Sequence, residues 1–142
     1  GKKIKPTLIR RNITNKENIK PLESLGIDNN NLKIIKQSMV KVVNEYSGTA
    51  YHVRTDGNKY IFAGKTGTSQ VKRITLAERE SEDFRKRELE WKNKDHALFL
   101  GYMPIQKPKY SICVVVEHGG SGSSTAAPIA RKVFDKLYEM ET

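Results

Sequence analysis

Phe62-Ala63-Gly64-Lys65-Thr66-Gly67-Thr68-Ser69-Gln70 is the stretch on which the fold turns. It continues an apolar run, Tyr60-Ile61-Phe62-Ala63, and then changes to small and hydroxylated residues around a single lysine. Aromatic and β-branched residues leading into it predict a strand, Lys59–Ser69. The composition after Ala63 is poor for a core and good for a site. One ammonium stands beside hydroxyls, and Gly67 lets another backbone lie close. Such an edge suits an extended ligand carrying a carboxylate.

Outward from this strand the elements alternate. Upstream, Leu32, Ile35, Met39, Val42 or Val43, and Tyr46 recur at spacings of three and four. They predict an amphipathic helix from Leu32 to Tyr46, capped by Asp28-Asn29-Asn30-Asn31 and stopped at Gly48. Tyr51–Arg54 reads as a short strand and Asp56-Gly57 as a turn. Downstream, His96–Met103 reads as a buried strand and Tyr110–Glu117 as a second strong strand. The short Pro104–Pro108 link makes them an antiparallel hairpin. After His118-Gly119-Gly120-Ser121-Gly122-Ser123-Ser124 a helix runs from about Thr125 to Glu141, with Pro128 in its first turn and Ile129, Val133, Leu137 and Met140 as its apolar face. The order predicts an α+β fold: a largely antiparallel sheet flanked by helices.

Residues 71–94 differ in kind, with eight basic and six acidic residues among 24. Glu82/Lys86, Asp83/Arg87, Glu88/Lys92 and Glu90/Lys94 are spaced i,i+4. They predict an exposed helix or a mobile charged insertion, with Phe84 and Trp91 able to pin it. Residues 1–20 carry seven Lys/Arg against one Glu. Ile4, Pro6, Leu8 and Ile9 suggest a short edge strand followed by a solvated loop turning at Asn12 and Asn15; a basic arm is the other reading.

At 142 residues, 37% hydrophobic and 30% charged, the chain has the length of one domain with a lean core. Its net charge of +10 fits either a lysine-rich solubilising surface or an anionic partner such as nucleic acid, acidic lipid or another anionic polymer. Net +2 over residues 71–94 argues against a surface that tracks phosphates. Cys113 has no intrachain disulfide partner, and no apolar run approaches the ~20 residues of a membrane helix. No signal peptide opens the chain.

Other motifs fail on spacing. Gly64-Lys65-Thr66 lacks the earlier glycine of a phosphate loop, since Lys59 stands there, and it continues a strand where such a loop starts a helix. Gly119-Gly120-Ser121-Gly122 lacks the third glycine of a dinucleotide loop, with Thr125 in its place. His52, His96 and His118 are far apart in sequence, which argues against a metal site; no cofactor is expected. Ser38-Met39-Val40-Lys41 matches Ser-x-x-Lys and places both side chains on one helix face. Ser38 is nevertheless in mid-helix, without the nearby donors that a nucleophile's oxyanion needs. No Ser-x-Asn follows.

Lys-Thr-Gly is among the motifs of penicillin-binding proteins and serine β-lactamases. With Gly1-Lys2-Lys3-Ile4-Lys5-Pro6, Met39-Val40-Lys41-Val42-Val43-Asn44, Gly48-Thr49, Asp95-His96, Gly101-Tyr102-Met103-Pro104, Val115–Gly122 and Ala126–Val133, it closely resembles the C-terminal part of the penicillin-binding protein 2 family of class B peptidoglycan D,D-transpeptidases. The motifs follow the family's order over nearly the whole chain; residues 71–94 are the least similar.

The resemblance implies that 1–142 is the C-terminal segment of a transpeptidase domain, supplying three strands and the last helix of its β-lactamase/transpeptidase-like fold. The nucleophilic serine, its lysine and the Ser-x-Asn element would lie upstream. Lys65 would steer the anionic part of a stem peptide or β-lactam and tune proton transfer. Thr66 and Thr68 would hold the carboxylate, the Thr68 N–H would form half the oxyanion hole, and Gly67 would let substrate pair with the strand. The parent would cross-link stem peptides outside the bacterial inner membrane, bound to membrane proteins of the elongation machinery. The segment alone would be inactive and prone to self-association through an exposed sheet edge. A basic module binding nucleic acid or another anionic polymer is the alternative; a stand-alone interaction domain from a truncated gene is a further one.

Overall fold

The computed structural model describes residues 1–4, 6, 22–57, 59–72, 80 and 90–142. The chain divides into two units, Gly1–Gln37 and Ser38–Thr142. In the first, Lys2 and Ser24 form an isolated antiparallel bridge. The Lys3 N–H donates to Glu23 O and the Leu25 N–H to Gly1 O, each at 2.8 Å. The bridge involves Lys2, before the expected edge strand; Ile4 and Pro6 are not in a strand, and Leu8, Ile9 and the Asn12/Asn15 turn lie outside the described residues.

Helix α1, Asn29–Asn44, starts three residues earlier than its apolar pattern does. Asp28 sets the start, its Oδ1 accepting from the N–H of Asn30 at 2.7 Å and of Asn31 at 3.4 Å. The expected apolar face holds only at the far end. Val43 is fully buried, whereas Ile35 is 51% and Tyr46 88% exposed. Tyr46 lies beyond the helix, edge-on to Tyr51 with ring centres 5.5 Å apart.

The second unit holds a three-stranded antiparallel sheet in the order β1-β2-β3, with β1 at Ala63–Ser69, β2 at His96–Met103 and β3 at Tyr110–Val116. The hairpin is as predicted, except that Glu117 has left the strand. β1 is shorter than the expected Lys59–Ser69. The carbonyls before it are taken by other donors: Tyr60 O by the Thr55 hydroxyl, Ile61 O by the Ile105 N–H, and Phe62 O by Asn44 Nδ2 at 2.9 Å. Three groups that a longer ladder would use are thus engaged elsewhere. Tyr51–Val53 is a 3₁₀ turn rather than the expected strand, closed by Arg54 N–H to Tyr51 O at 3.1 Å.

One sheet face forms the core. Ala97, Phe99, Gly101 and Met103 alternate inward along β2 and are buried. Phe62, Phe99 and Phe134 are fully buried. The Phe62 ring is 5.3 Å from Phe134 and 6.4 Å from Phe99, centre to centre. Each such ring contributes on the order of 2 kcal/mol by leaving water.

Helix α2, Ala127–Glu141, closes this face after a single π turn at Gly122–Ala126. Ser121 Oγ accepts from the Ser124 N–H at 3.5 Å, and Pro128 sits in the first turn of α2. Of the expected stripe only Leu137 packs against the core. Ala127, Ala130 and Phe134 are completely covered, while Ile129 is 42%, Val133 41% and Met140 74% exposed. Alanines let the helix lie close to the sheet, and a single large ring then fills the space. Arg131 anchors the helix, donating from Nε to Asp135 Oδ2 at 2.9 Å and from Nη1 to the carbonyls of Val53 (2.8 Å) and Arg54.

Most of the 71–94 segment lies outside the described residues, including Phe84 and the Glu82/Lys86, Asp83/Arg87 and Glu88/Lys92 pairs in whole or part. Its end corrects the fourth pair. Trp91–Asn93 is a 3₁₀ turn that Glu90 enters in an extended conformation, so Glu90 meets Lys92 at 3.2 Å instead of Lys94.

Candidate active site

β1 is an edge strand among the described residues, pairing only with β2 there. Its residues alternate between faces. Gly64, Thr66 and Thr68 stand opposite Gly101, Phe99 and Ala97, on the core side. Lys65 and Gly67 stand opposite Leu100 and Leu98, on the other face. Lys65 and Thr68 are exposed, and Thr66 and Gly67 half-buried. The four predicted residues are therefore contiguous on one rim but divided between its two faces. An edge strand is the setting in which both faces can reach a ligand lying along it.

Each position has its own local support. Lys65 Nζ donates to Thr66 O at 2.6 Å, so the ammonium lies along the strand. Thr66 Oγ1 is 3.0 Å from Thr49 Oγ1. The Thr49 carbonyl in turn accepts from Ser123 Oγ. This joins the end of α1, the strand and the turn before α2 through hydroxyls. Gly122 completes the support. A Cβ there would stand 2.3 Å from Gly67 O and 2.4 Å from Leu98 O, so only glycine lets the turn seat on the strand backbone. Gly64 is required for a different reason: its Cβ would stand 2.1 Å from Phe99 Cζ.

Thr49, Gly122 and Ser123 were not among the predicted site residues. Gly122 and Ser123 fall in a stretch readable only as a tight turn, and nothing in sequence places Thr49 beside Thr66. The histidines also differ from expectation. His96 and His118 are far apart in sequence but have ring centres 4.8 Å apart, and the Trp91 ring is 4.6 Å from that of His118. The hairpin register pairs Ala97 with Val116 and so brings His96 level with Glu117. Exact strand ends would have revealed the pair. Among the described residues no three His, Cys, Asp or Glu form a set that could hold a metal ion.

Ser38, of the Ser-x-x-Lys match, is exposed within α1, and Lys41 Nζ pairs with Glu45 Oε1 at 3.5 Å. That geometry gives Ser38 no base from Lys41.

A second cluster lies at the opposite end of the sheet. Lys109 and the Tyr110 hydroxyl both donate to Glu141, the hydroxyl at 2.6 Å. The Tyr110 bond, aided by Lys109, holds the Glu141 carboxyl below its ordinary value and pushes the Tyr110 phenol up. Tyr60 donates to Asp135 Oδ1 at 3.0 Å. Burial, and then Asp135, raise its pKa well above the ordinary 10.0.

Residues 1–135 match the family described as penicillin binding protein transpeptidase domain. The chain is 42% identical over 100 residues to the peptidoglycan D,D-transpeptidase MrdA of Haemophilus influenzae, covering 70% of this chain and 15% of that protein. It is 40% identical over 110 residues to the MrdA of Acinetobacter baumannii, covering 78% and 15%. Among solved structures, it resembles penicillin-binding protein 2 of Helicobacter pylori in complex with MreC, with TM-score 0.64 and 32% identity over 88% of this chain and 21% of that one. It also resembles Pseudomonas aeruginosa penicillin-binding protein 2 in complex with WCK 5153, with TM-score 0.60 and 33% identity over 82% and 21%. The chain thus spans about 15% of the length of the curated relatives it matches.

Proposed function

The chain belongs to the penicillin-binding protein transpeptidase domain family, and from that membership we propose that it is the C-terminal segment of a serine D,D-transpeptidase that cross-links peptidoglycan stem peptides. The observation that carries the reading is Lys65-Thr66-Gly67-Thr68 on a rim strand, within a stretch matching the family over residues 1–135. A stem peptide or a β-lactam lies along β1 as an added strand. Lys65 steers its anionic part and tunes proton transfer. Thr66 and Thr68 hydroxyls hold the carboxylate, and the Thr68 N–H donates to the developing oxyanion. Gly67 keeps the strand open for close backbone approach.

The nucleophilic serine and its lysine come from residues outside this segment, so the segment alone neither acylates nor turns over substrate. The parent works on the outer face of the bacterial inner membrane, held by an anchor outside this chain. Its partners are membrane-associated elongation proteins, a reading supported by the MreC complex of the Helicobacter pylori neighbour. Among the described residues no helix is long and apolar enough to cross a membrane.

Fluorescent penicillin added to the full-length protein, followed by denaturing electrophoresis, tests this. One covalent label per chain is expected. Lys65→Ala should lower the acylation rate by roughly a hundredfold or more. Absence of labelling in a folded full-length protein would sink the reading.

A further inference from the structure

The β3–α2 connection leaves the sheet in an unusual way. His118 has a backbone φ of 53°, in the left-handed region that few residues other than glycine adopt, Asn, Asp and His being the more frequent exceptions. Such a conformation persists only where the surroundings hold it, and here they do so from four directions. The His118 N–H donates to His96 Nδ1 at 2.9 Å. His118 Nδ1 is 3.0 Å from Lys94 O, and so carries the proton that donates to it. The ring is in contact with those of Trp91 and His96, its centre 4.6 and 4.8 Å from theirs and its plane steeply inclined to both. Beyond it, the Gly120 N–H donates to Asp95 O at 2.8 Å.

The connection then lands on the wall of the site. Gly122 seats on the Gly67 and Leu98 backbones, Ser123 Oγ donates to Thr49 O, and Thr49 contacts Thr66. The Thr125 hydroxyl donates back to Gly119 O at 2.8 Å, closing the turn on itself. β1 has β2 on one side and this turn beneath it.

We infer that His118 is a positioning residue: clamped by Trp91, His96 and Lys94 O, it sets the course of the Gly119–Ser123 turn and thereby the placement of the Gly67–Thr68 backbone that receives substrate. His118 acts through Gly122 and touches no substrate. The inference rests on the proposed acyl-transfer reading for its kinetic consequence, but its structural part stands separately.

The test uses the full-length protein with His118→Ala, His118→Asn and Trp91→Ala. Asparagine tolerates the left-handed backbone and its amide can donate to Lys94 O, so it separates the clamp from mere bulk. Two quantities are read: β-lactam acylation resolved into its non-covalent constant and its limiting rate, and hydrogen exchange of the amides of residues 66–69. His118→Ala should lower the limiting rate about tenfold or more, as misplacement of reacting groups does, with the non-covalent constant little changed. It should also speed exchange at 66–69 while helix α2 keeps its protection. Trp91→Ala should do the same more weakly, and His118→Asn should stay within about threefold of the unmodified protein on the same scale. Unchanged exchange at 66–69 in both His118→Ala and Trp91→Ala overturns the inference, as does exchange that rises uniformly along the chain. Should the unmodified protein fail to acylate, the functional reading falls while the exchange measurements still decide the positioning role.

Discussion

Gly64 and Gly67 lie three residues apart on one strand and are glycine for different reasons. A Cβ on Gly64 enters the Phe99 ring and the Leu100 carbonyl, at 2.1 and 2.7 Å. Gly64→Ala should therefore cost about 1–3 kcal/mol by overpacking, read as a lower denaturation midpoint. A Cβ on Gly67 stands 3.3 Å from Leu98 Cβ, so Gly67→Ala should stay within about 1 kcal/mol. An equal loss for the two would contradict this assignment. A reason for glycine at 67, the close backbone approach proposed for substrate, was arguable from sequence because its neighbours are hydroxyls and a lysine. The reason for Gly64 was not, since Phe99 reaches it only through the pairing of β1 with β2. Tyr60 gives a pH prediction of definite sign. Its folded pKa is raised by burial and by Asp135, so above the ordinary value of 10.0 the unfolded chain releases a proton that the folded one keeps. That contribution is full below pH 10.0 and is lost as pH rises beyond it. Chemical unfolding between neutral and strongly alkaline pH should show stability falling, and less steeply in Tyr60→Phe.

Among the elements, α2 shows where periodicity misleads. Ile129, Val133, Leu137 and Met140 form a helical stripe, but so do Ala127, Ala130 and Phe134. Hydropathy favours the first stripe; close packing against the sheet selects the second, and of the first only Leu137 joins it. Phe134→Ala should accordingly cost about 3–5 kcal/mol, and Val133→Ala, at a site 41% exposed, under about 1 kcal/mol. Thermal unfolding of the two variants checks the order, and the reverse order would restore the first stripe. β2 and β3 were legible because their apolar runs end at Pro104 and Pro108. The Tyr51–Val53 turn was not, because Tyr, His and Val favour strands locally while the Ala50 and Tyr51 carbonyls accept 3₁₀ bonds. The same limit applies to the start of β1, where two of the three preceding carbonyls are claimed by partners distant in sequence, Asn44 and Ile105.

For the molecule as a whole, the family was readable from motif order, and the α+β sheet from the alternation of elements. The division at Gln37 was not readable, because it falls within a continuous helix. The isolated 142-residue polypeptide should take up no covalent penicillin label and should show concentration-dependent association in sedimentation, since sheet edges seek partners. A labelled peptide containing Ser38 would refute the first expectation, and a monomer at all concentrations the second. A different consequence attaches to the Gly64–Phe99 contact. It ties the rear of the β1 rim to the core that Phe62 and Phe134 complete, whereas Lys65, Thr68, Ser69 and Gln70 are exposed. The rim is therefore unequally evolvable. As far as folding alone decides, side chains at its exposed front are free to change, while its back is held fixed by packing against Phe99.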